Sequence, residues 1–225
     1  MESVMIIDFK ARIMPGMDNA CKSRLDTIRR LIAAKNAGVD VLVAAPLYDP
    51  DECSVDEFLD RRHAAEGILN TLTSSELPEV VSAAMVKYSD CLLHTQGLER
   101  LCFGGDNLLL SMLDVQWSDS VEAVLRRLTG KLGLNVTLAD AAALLPAQGE
   151  KMQQLGLHVM LDLEDLHHKK QIQAALPFIE SGLVIAIGSN SDSELPYRHL
   201  GKTMRRMSVA FDAVMNAGSK LLERR

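Results

Sequence analysis

The segment Leu132-Gly133-Leu134-Asn135-Val136 joins a stretch with helical periodicity to an apolar run typical of a β-strand. A glycine at such a junction ends a helix readily, because it adopts the left-handed conformation without steric cost. The same design recurs at three other junctions: Ala37-Gly38-Val39-Asp40-Val41, Leu155-Gly156-Leu157-His158-Val159 and Ser181-Gly182-Leu183-Val184-Ile185. This recurrence predicts a chain built from repeated helix–strand units.

Seven apolar runs follow one another at near-regular spacing. They are Val4–Phe9, Val39–Pro46, Val80–Val86, Leu108–Leu113, Leu134–Asp140, Leu157–Leu163 and Leu183–Ser189. Most are continuous, as in parallel strands that are buried on both faces. The stretches between them are amphipathic, and in the first we expect Leu25, Ile28, Leu31 and Ile32 to form the buried face of a helix.

This alternation of strands and helices predicts an α/β fold with parallel strands. Seven units favour a distorted, TIM-like (β/α)7 barrel over an open sheet, and the absence of a linker-like segment favours one domain over residues 1–225. In such folds the functional site forms at the carboxyl ends of the strands.

The composition narrows the function classes. The formal net charge is −6, and no basic run is present, which argues against nucleic-acid binding. No apolar run approaches the ~20 residues that span a bilayer, so membrane insertion is not expected. Four cysteines are scattered without a Cys-x-x-Cys motif, which favours reduced thiols and a cytoplasmic location.

The first predicted strand end carries a recognisable motif. It reads Ile7-Asp8-Phe9-Lys10-Ala11-Arg12-Ile13-Met14-Pro15-Gly16-Met17-Asp18-Asn19-Ala20-Cys21-Lys22. This segment resembles the opening motif of the polymerase-and-histidinol-phosphatase (PHP) family, and more narrowly that of the manganese-dependent bacterial protein-tyrosine phosphatases of capsule and exopolysaccharide operons. In that alignment Lys10 and Arg12 stand at two metal-binding histidines, and Asn19 stands at the second aspartate of a pair.

The resemblance continues along the chain, with further replacements at the positions that the family uses. Leu47 and Leu138 fall on histidines, Met85 on a bridging glutamate, Ser111 on a carboxylate, Ala141 on the arginine that assists catalysis, and Asn190 and Asp192 on the last two ligands. The resemblance implies a PHP-type barrel, a manganese or other divalent-metal cofactor, and a bacterial tyrosine kinase as a partner.

Few of these side chains can bind a divalent ion, because such ions need imidazole, carboxylate or thiolate donors. We therefore expect no metal cofactor, and we interpret the chain as a pseudophosphatase with a regulatory or binding role. The alternative is a hydrolase that still holds one ion at Asp8, Asp140, Asp162 and Asp192.

Lys10 and Arg12 are two residues apart at a strand end, so both can point into the site. One interpretation is that they bind phosphate or another small anion. The other, which we favour, is that they form internal ion pairs with acids such as Asp8, Asp140 and Asp192, because charges in a cleft usually pair with each other.

Overall fold

The computed structural model describes residues 4–19, 21–190 and 193–223. Within them lie nine strands: β1 (Ile7–Ala11), β2 (Val41–Ala44), β3 (Leu47–Tyr48), β4 (Glu79–Ser82), β5 (Met85–Lys87), β6 (Asn107–Ser111), β7 (Asn135–Ala139), β8 (His158–Asp162) and β9 (Val184–Gly188). The α-helices are α1 (Arg24–Asn36), α2 (Val55–Asn70), α3 (Asp119–Arg126), α4 (Leu145–Gln154), α5 (Lys169–Glu180), α6 (Leu195–Met207) and α7 (Val209–Glu223).

The strands form two parallel sheets, in the orders β1-β2-β4 and β3-β5-β6-β7-β8-β9. Two of the seven predicted strands divide between these sheets. The run Val39–Pro46 supplies β2 and leads into β3, and the run Val80–Val86 supplies parts of β4 and β5. Pro46, which has no N–H to donate, lies at the first of these breaks. The seven predicted units are therefore present, with units two and three each contributing to both sheets.

The outer edges of the two sheets, β1 and β9, lie side by side. The Asn190 N–H donates to the Lys10 carbonyl over 3.0 Å. The approach is close, because a Cβ atom added at Gly188 would lie 2.7 Å from the Lys10 Cβ. The ends of β1 and β9 are thus neighbours, as the predicted barrel requires.

The glycines at the predicted helix–strand junctions have the expected conformation, with φ of +85° at Gly38, +66° at Gly133, +67° at Gly156 and +74° at Gly182. The predicted first strand is wrong in its limits. It begins at Ile7 rather than Val4, because the Ile6 N–H donates to the Asp40 carboxylate and the parallel ladder starts one residue later. The third unit has two short 3₁₀ turns, at 90–93 and 98–101, in place of an α-helix.

The predicted buried face of α1 is only half correct. Leu31 is fully buried, whereas Leu25 is 54% exposed and Ile32 is 46% exposed. The helix packs through Thr27, Leu31 and Ala34, which leaves two large apolar side chains in solvent.

Strands β2, β6, β7 and β9 are almost wholly buried, as expected for strands covered on both faces. No helix in the described part of the chain combines the length and the apolar character that crossing a bilayer requires.

Candidate functional site

A cavity of about 210 Å³ opens at the carboxyl ends of the strands, which we call the barrel mouth. Its lining residues lie near the ends of β1 and β6, in the loops that follow β1, β2, β6, β7 and β9, and at the first residues of β3 and β5. They are Lys10, Arg12, Asp18, Ala45, Leu47, Met85, Ser111, Leu113, Asp140 and Asn190. The site therefore lies at the predicted edge of the strands.

An ion pair between Lys10 and Asp140 occupies the barrel mouth. The Lys10 Nζ lies 3.0 Å from each carboxylate oxygen of Asp140. Both side chains are buried, with exposed fractions of 8% and 10%. Asp140 also accepts hydrogen bonds from the Ser111 hydroxyl and, over 3.0 Å, from the Asn190 side-chain amide. The carboxylate is thus held by one cation and two neutral donors.

The backbone at two of these positions is unusual. Asp140 has φ of +58° and Asn190 has φ of +42°, so both follow their strands in the left-handed conformation. Asn and Asp adopt this conformation more readily than most residues, and such positions cluster at functional sites. The Asp140 side chain pairs with Lys10, and the Asn190 side chain donates to Asp140.

Asp162, at the end of β8, is a second buried carboxyl group beside this ion pair. Burial raises its pKa to about 6, and Lys10 opposes that rise while Asp140 adds to it. The Asp162 Oδ2 lies 3.4 Å from the Asn190 amide nitrogen, whereas its Oδ1 has no hydrogen-bond partner among the described residues. One oxygen of the Asp162 carboxyl group therefore accepts a hydrogen bond, and the other has none from the described residues.

Asp8, unlike Asp140, is not among the residues that line the barrel mouth. Its carboxylate accepts hydrogen bonds from the Ser189 N–H (2.8 Å), the Tyr197 hydroxyl (2.7 Å) and the Lys10 N–H (3.1 Å). These bonds tie β1 to β9 and α6. Asp8 is thus a structural residue, and its carboxylate is already occupied, so it does not join Asp140 and Asp162 as a free metal ligand.

The other residues singled out in the sequence fall into three groups. Arg12, Leu47 and Met85 line the barrel mouth, with Leu47 at its exposed rim (47%). Asn19 is exposed on the loop after β1, and Leu138 and Ala141 are fully buried; none of the three is among the lining residues. Asp192 lies outside the described residues.

Three lining residues, Asp18, Ala45 and Leu113, were not expected from the sequence. Asp18 is buried, and its carboxylate accepts the Met14 N–H over 2.8 Å. Its match to the PHP-like motif was the available signal. Leu113 is 67% exposed and adds a second apolar side chain to the rim. Nothing in its local sequence distinguished it from the preceding strand residues.

The described chain combines an α/β barrel of parallel strands with a polar, ion-paired mouth at their carboxyl ends. No protein-family model and no curated protein matches the chain. It does match a solved structure from the work on YwqE of Bacillus subtilis and CpsB of Streptococcus pneumoniae, described as unique metal-dependent tyrosine phosphatases. The TM-score is 0.72 at 14% identity, over 98% of this chain and 95% of that chain. This likeness confirms the predicted fold.

The mouth residues do not fit the metal cluster that the sequence resemblance implies. In residues 4–19, 21–190 and 193–223, no group of three or more His, Cys, Asp or Glu side chains is arranged to hold a metal ion. The ammonium group of Lys10 pairs with Asp140 and also acts electrostatically on Asp162. A cation already bound to the carboxylate competes with a metal ion for the same oxygens.

Proposed function

We propose that this chain is a non-catalytic, phosphatase-like protein with a regulatory or binding role in a bacterial capsule, exopolysaccharide or tyrosine-phosphorylation system. It acts in the cytoplasm as one barrel domain. The fold likeness and the PHP-like sequence motifs support the phosphatase-like ancestry. The Lys10–Asp140 ion pair carries the proposal that metal-dependent catalysis has been lost.

The ion pair opposes metal binding in two ways. The ammonium group of Lys10, which lines the cavity, repels a divalent cation, and it also contacts both carboxylate oxygens of Asp140. Separating Lys10 from Asp140 would leave two buried charges without an opposite charge beside them. Breaking a buried ion pair in this way typically costs ~3–5 kcal/mol. Arg12, Leu47 and Met85 line the same cavity and provide no group that suits a hard divalent ion such as manganese.

The ligand that suits the barrel mouth best is a small anionic group, such as phosphate, on an otherwise apolar body. Arg12 is a guanidinium group that can hold phosphate or carboxylate through paired hydrogen bonds. Ser111 and Asn190 add a hydroxyl and an amide to the lining, and Leu47 and Leu113 form an apolar rim. A phosphorylated tyrosine of a kinase partner has this combination of features.

One observation favours a second candidate, a hydrolase with a reduced metal site. Asp162 keeps one carboxyl oxygen without a partner, in a buried position next to Asp140. A metal ion bound by these two carboxylates would give that oxygen a partner, and the sequence resemblance adds Asp192 as a further candidate ligand. This candidate requires Lys10 to move away from Asp140.

Purification in the presence of manganese, followed by elemental analysis and a p-nitrophenyl phosphate assay, separates the two candidates. The proposal predicts much less than one manganese ion per chain and no turnover above a buffer control. Stoichiometric manganese, with turnover that disappears in Asp192→Ala, would overturn the proposal in favour of the hydrolase.

Thermal shift in phosphate and in phosphotyrosine tests the anion site. The proposal predicts a stabilisation that Arg12→Gln removes. The matched control is Arg61→Gln, which deletes an exposed guanidinium group on α2 outside the mouth. Equal loss in both variants, or no shift in the parent protein, would exclude a specific anion site.

A further inference from the structure

The outer face of α1 carries apolar side chains that the fold does not bury. Leu25, Arg29 and Ile32 are spaced i, i+4 and i+7, so they lie on one face of the helix. All three are exposed, with Leu25 at 54% and Ile32 at 46%. A stripe of this kind, with an arginine between two large apolar residues, is typical of a binding surface.

This stripe borders a groove between α1 and α6. The groove consists of two adjoining cavities of about 290 Å³ and 480 Å³, which share Glu194 and Arg198 in their linings. Arg29, Arg30 and Leu195 line the first cavity, and Leu195 is 48% exposed. The second cavity continues along the two helices past Ala33, Asn36 and Gly201. The lining of the first cavity combines three arginines, Arg29, Arg30 and Arg198, with two carboxylates, Asp26 and Glu194, so it carries a small positive excess, and Leu195 adds an apolar side chain. The second cavity is the larger of the two, and Tyr197 and Arg198 line it together with smaller side chains.

The charge of these two helices is opposite to that of the chain. Helix α1 carries four basic residues and one acidic residue, and α6 carries four basic residues and no acidic one. Their combined charge is +7 in a chain whose formal net charge is −6, so the remaining residues carry −13. A positive surface on a negative protein attracts an acidic partner while the rest of the surface repels it, which favours one orientation of binding.

We propose that the groove between α1 and α6 binds an acidic segment of a partner protein that also carries leucine-like side chains. Carboxylates of the segment pair with the guanidinium groups of Arg29 and Arg198, and its apolar side chains cover Leu25 and Leu195. Arg198 is 4.0 Å from the Glu194 carboxylate, but both side chains of that pair are solvent-exposed, so exchanging Glu194 for a partner carboxylate costs little. Arginine suits this role because its planar group holds a carboxylate through two parallel hydrogen bonds. The groove follows about 16 Å of α1, which about five residues of extended peptide span.

The shape and chemistry of the groove favour a peptide over other acidic ligands. The surface of a lipid bilayer is too flat to contact the residues at the bottom of a groove between two helices. Inorganic phosphate leaves Leu25 and Leu195 uncovered. A nucleic acid is disfavoured by the negative charge elsewhere and by the scarcity of aromatic residues, which make up 4% of the chain. The proposal concerns a surface separate from the barrel mouth, and it holds whether or not the mouth is catalytic.

Fluorescence anisotropy with a fluorescein-labelled peptide of alternating glutamate and leucine tests the proposal. The critical variant is Arg29→Glu combined with Arg198→Glu. The matched control is Lys35→Glu combined with Lys202→Glu, which changes the charge of the same two helices equally outside the groove lining. We expect the groove variant to weaken binding about tenfold or more, and the control about threefold or less, because screened charges off the contact act weakly.

Further measurements make the outcome decisive. Leu25→Ser with Leu195→Ser is expected to weaken binding without any change of charge, and a glutamate–serine peptide is expected to bind more weakly than the glutamate–leucine peptide. Leu47→Ser with Leu113→Ser, at the rim of the barrel mouth, is expected to leave binding unchanged. All of these substitutions are at exposed positions, and circular dichroism confirms folding.

Several results would overturn the proposal. They are the absence of peptide binding, an equal loss in the groove and control variants, and a loss on changing the mouth rim. Tighter binding of single-stranded DNA, inorganic phosphate or anionic phosphatidylserine vesicles would assign the surface to another ligand. A dimer in light scattering that Arg29→Glu with Arg198→Glu dissociates would assign it to a second copy of the chain.

Discussion

Replacing Lys10 by methionine is expected to destabilise the protein by about 3 kcal/mol. Methionine keeps the aliphatic part of the side chain but removes the ammonium group from Asp140. Loss of one partner of a buried ion pair typically costs ~3–5 kcal/mol, because the other charge stays buried. Ser111 and Asn190 continue to donate hydrogen bonds to Asp140, so we expect the lower end of that range.

The double variant Lys10→Met with Asp140→Asn removes both charges. Asparagine tolerates the φ of +58° at position 140, so this substitution adds little backbone strain. We expect the double variant to be about 2 kcal/mol more stable than the sum of the two single effects predicts, because the pair is coupled. Urea unfolding at neutral pH in EDTA gives the four free energies of the cycle.

A matched control is Lys87→Met. Lys87 also pairs with a buried carboxylate, that of Asp49, but its own side chain is 49% exposed. Water can solvate the remaining carboxylate there, so we expect a much smaller loss of stability than for Lys10→Met. A Lys10→Met cost below about 1 kcal/mol, or strictly additive effects in the cycle, would refute the description of this pair as buried and coupled.

Three further predictions concern residues around the site. Asp162 has a pKa of about 6 in the folded protein against an ordinary 3.8, so the stability of the parent protein falls as pH rises through that interval. Asp162→Asn removes this loss, and in urea titrations at several pH values it should gain up to about 3 kcal/mol above pH 6 and nothing in acid. A pH-independent effect would contradict the assignment. Gly188→Ala places a Cβ 2.7 Å from a Cβ of β1 and should cost ~1–3 kcal/mol, whereas Gly67→Ala, in an open position inside α2, should stabilise by ~0.5–1 kcal/mol. Equal melting temperatures for the two variants would disprove the close approach. Tyr197→Phe removes a 2.7 Å hydrogen bond to the buried Asp8 carboxylate and should cost ~1.5–3 kcal/mol in the same denaturation assay; a smaller change would mean that water replaces the hydroxyl.

The sequence was sufficient to predict the repeated unit, and the barrel-mouth cavity lies at the edge where it predicts a site. Glycines such as Gly133 and Gly182 have a local physical role, the left-handed helix end, which can be recognised without any knowledge of the fold. Continuous apolar runs likewise indicate buried parallel strands. The break of β2 from β3 at Pro46 was not predicted, because an apolar run gives no sign of which neighbouring strand its second half will pair with.

It was harder to predict which residues of the candidate site contact each other than to predict which residues line it. Resemblance to the PHP-like motifs brought Lys10, Ser111 and Asn190 to attention, and all three line the barrel mouth. Asp140 was one of several acids considered for Lys10. The choice among them depends on two chain segments that are 130 residues apart in sequence, and on the left-handed turn that aims Asp140 inward.

The exposed face of α1 shows a different limit. Periodicity grouped Leu25 and Ile32 with Leu31 on one apolar face, but only Leu31 is buried. It could not distinguish burial against the barrel from burial against a partner, because both favour the same residue types. The structure leaves Leu25 and Ile32 in solvent beside Arg29, which lines the groove between α1 and α6. The exposure of these two side chains is the difference from the sequence-based expectation that led to the proposed binding surface.

The most direct test of the central claim is an anomalous difference map at the manganese edge, from crystals grown with manganese chloride and phosphate. The account predicts no manganese peak at the barrel mouth, with Lys10 Nζ in contact with both Asp140 oxygens, and any bound anion beside Arg12. A manganese peak coordinated by Asp140 and Asp162, with Lys10 turned away, would contradict it.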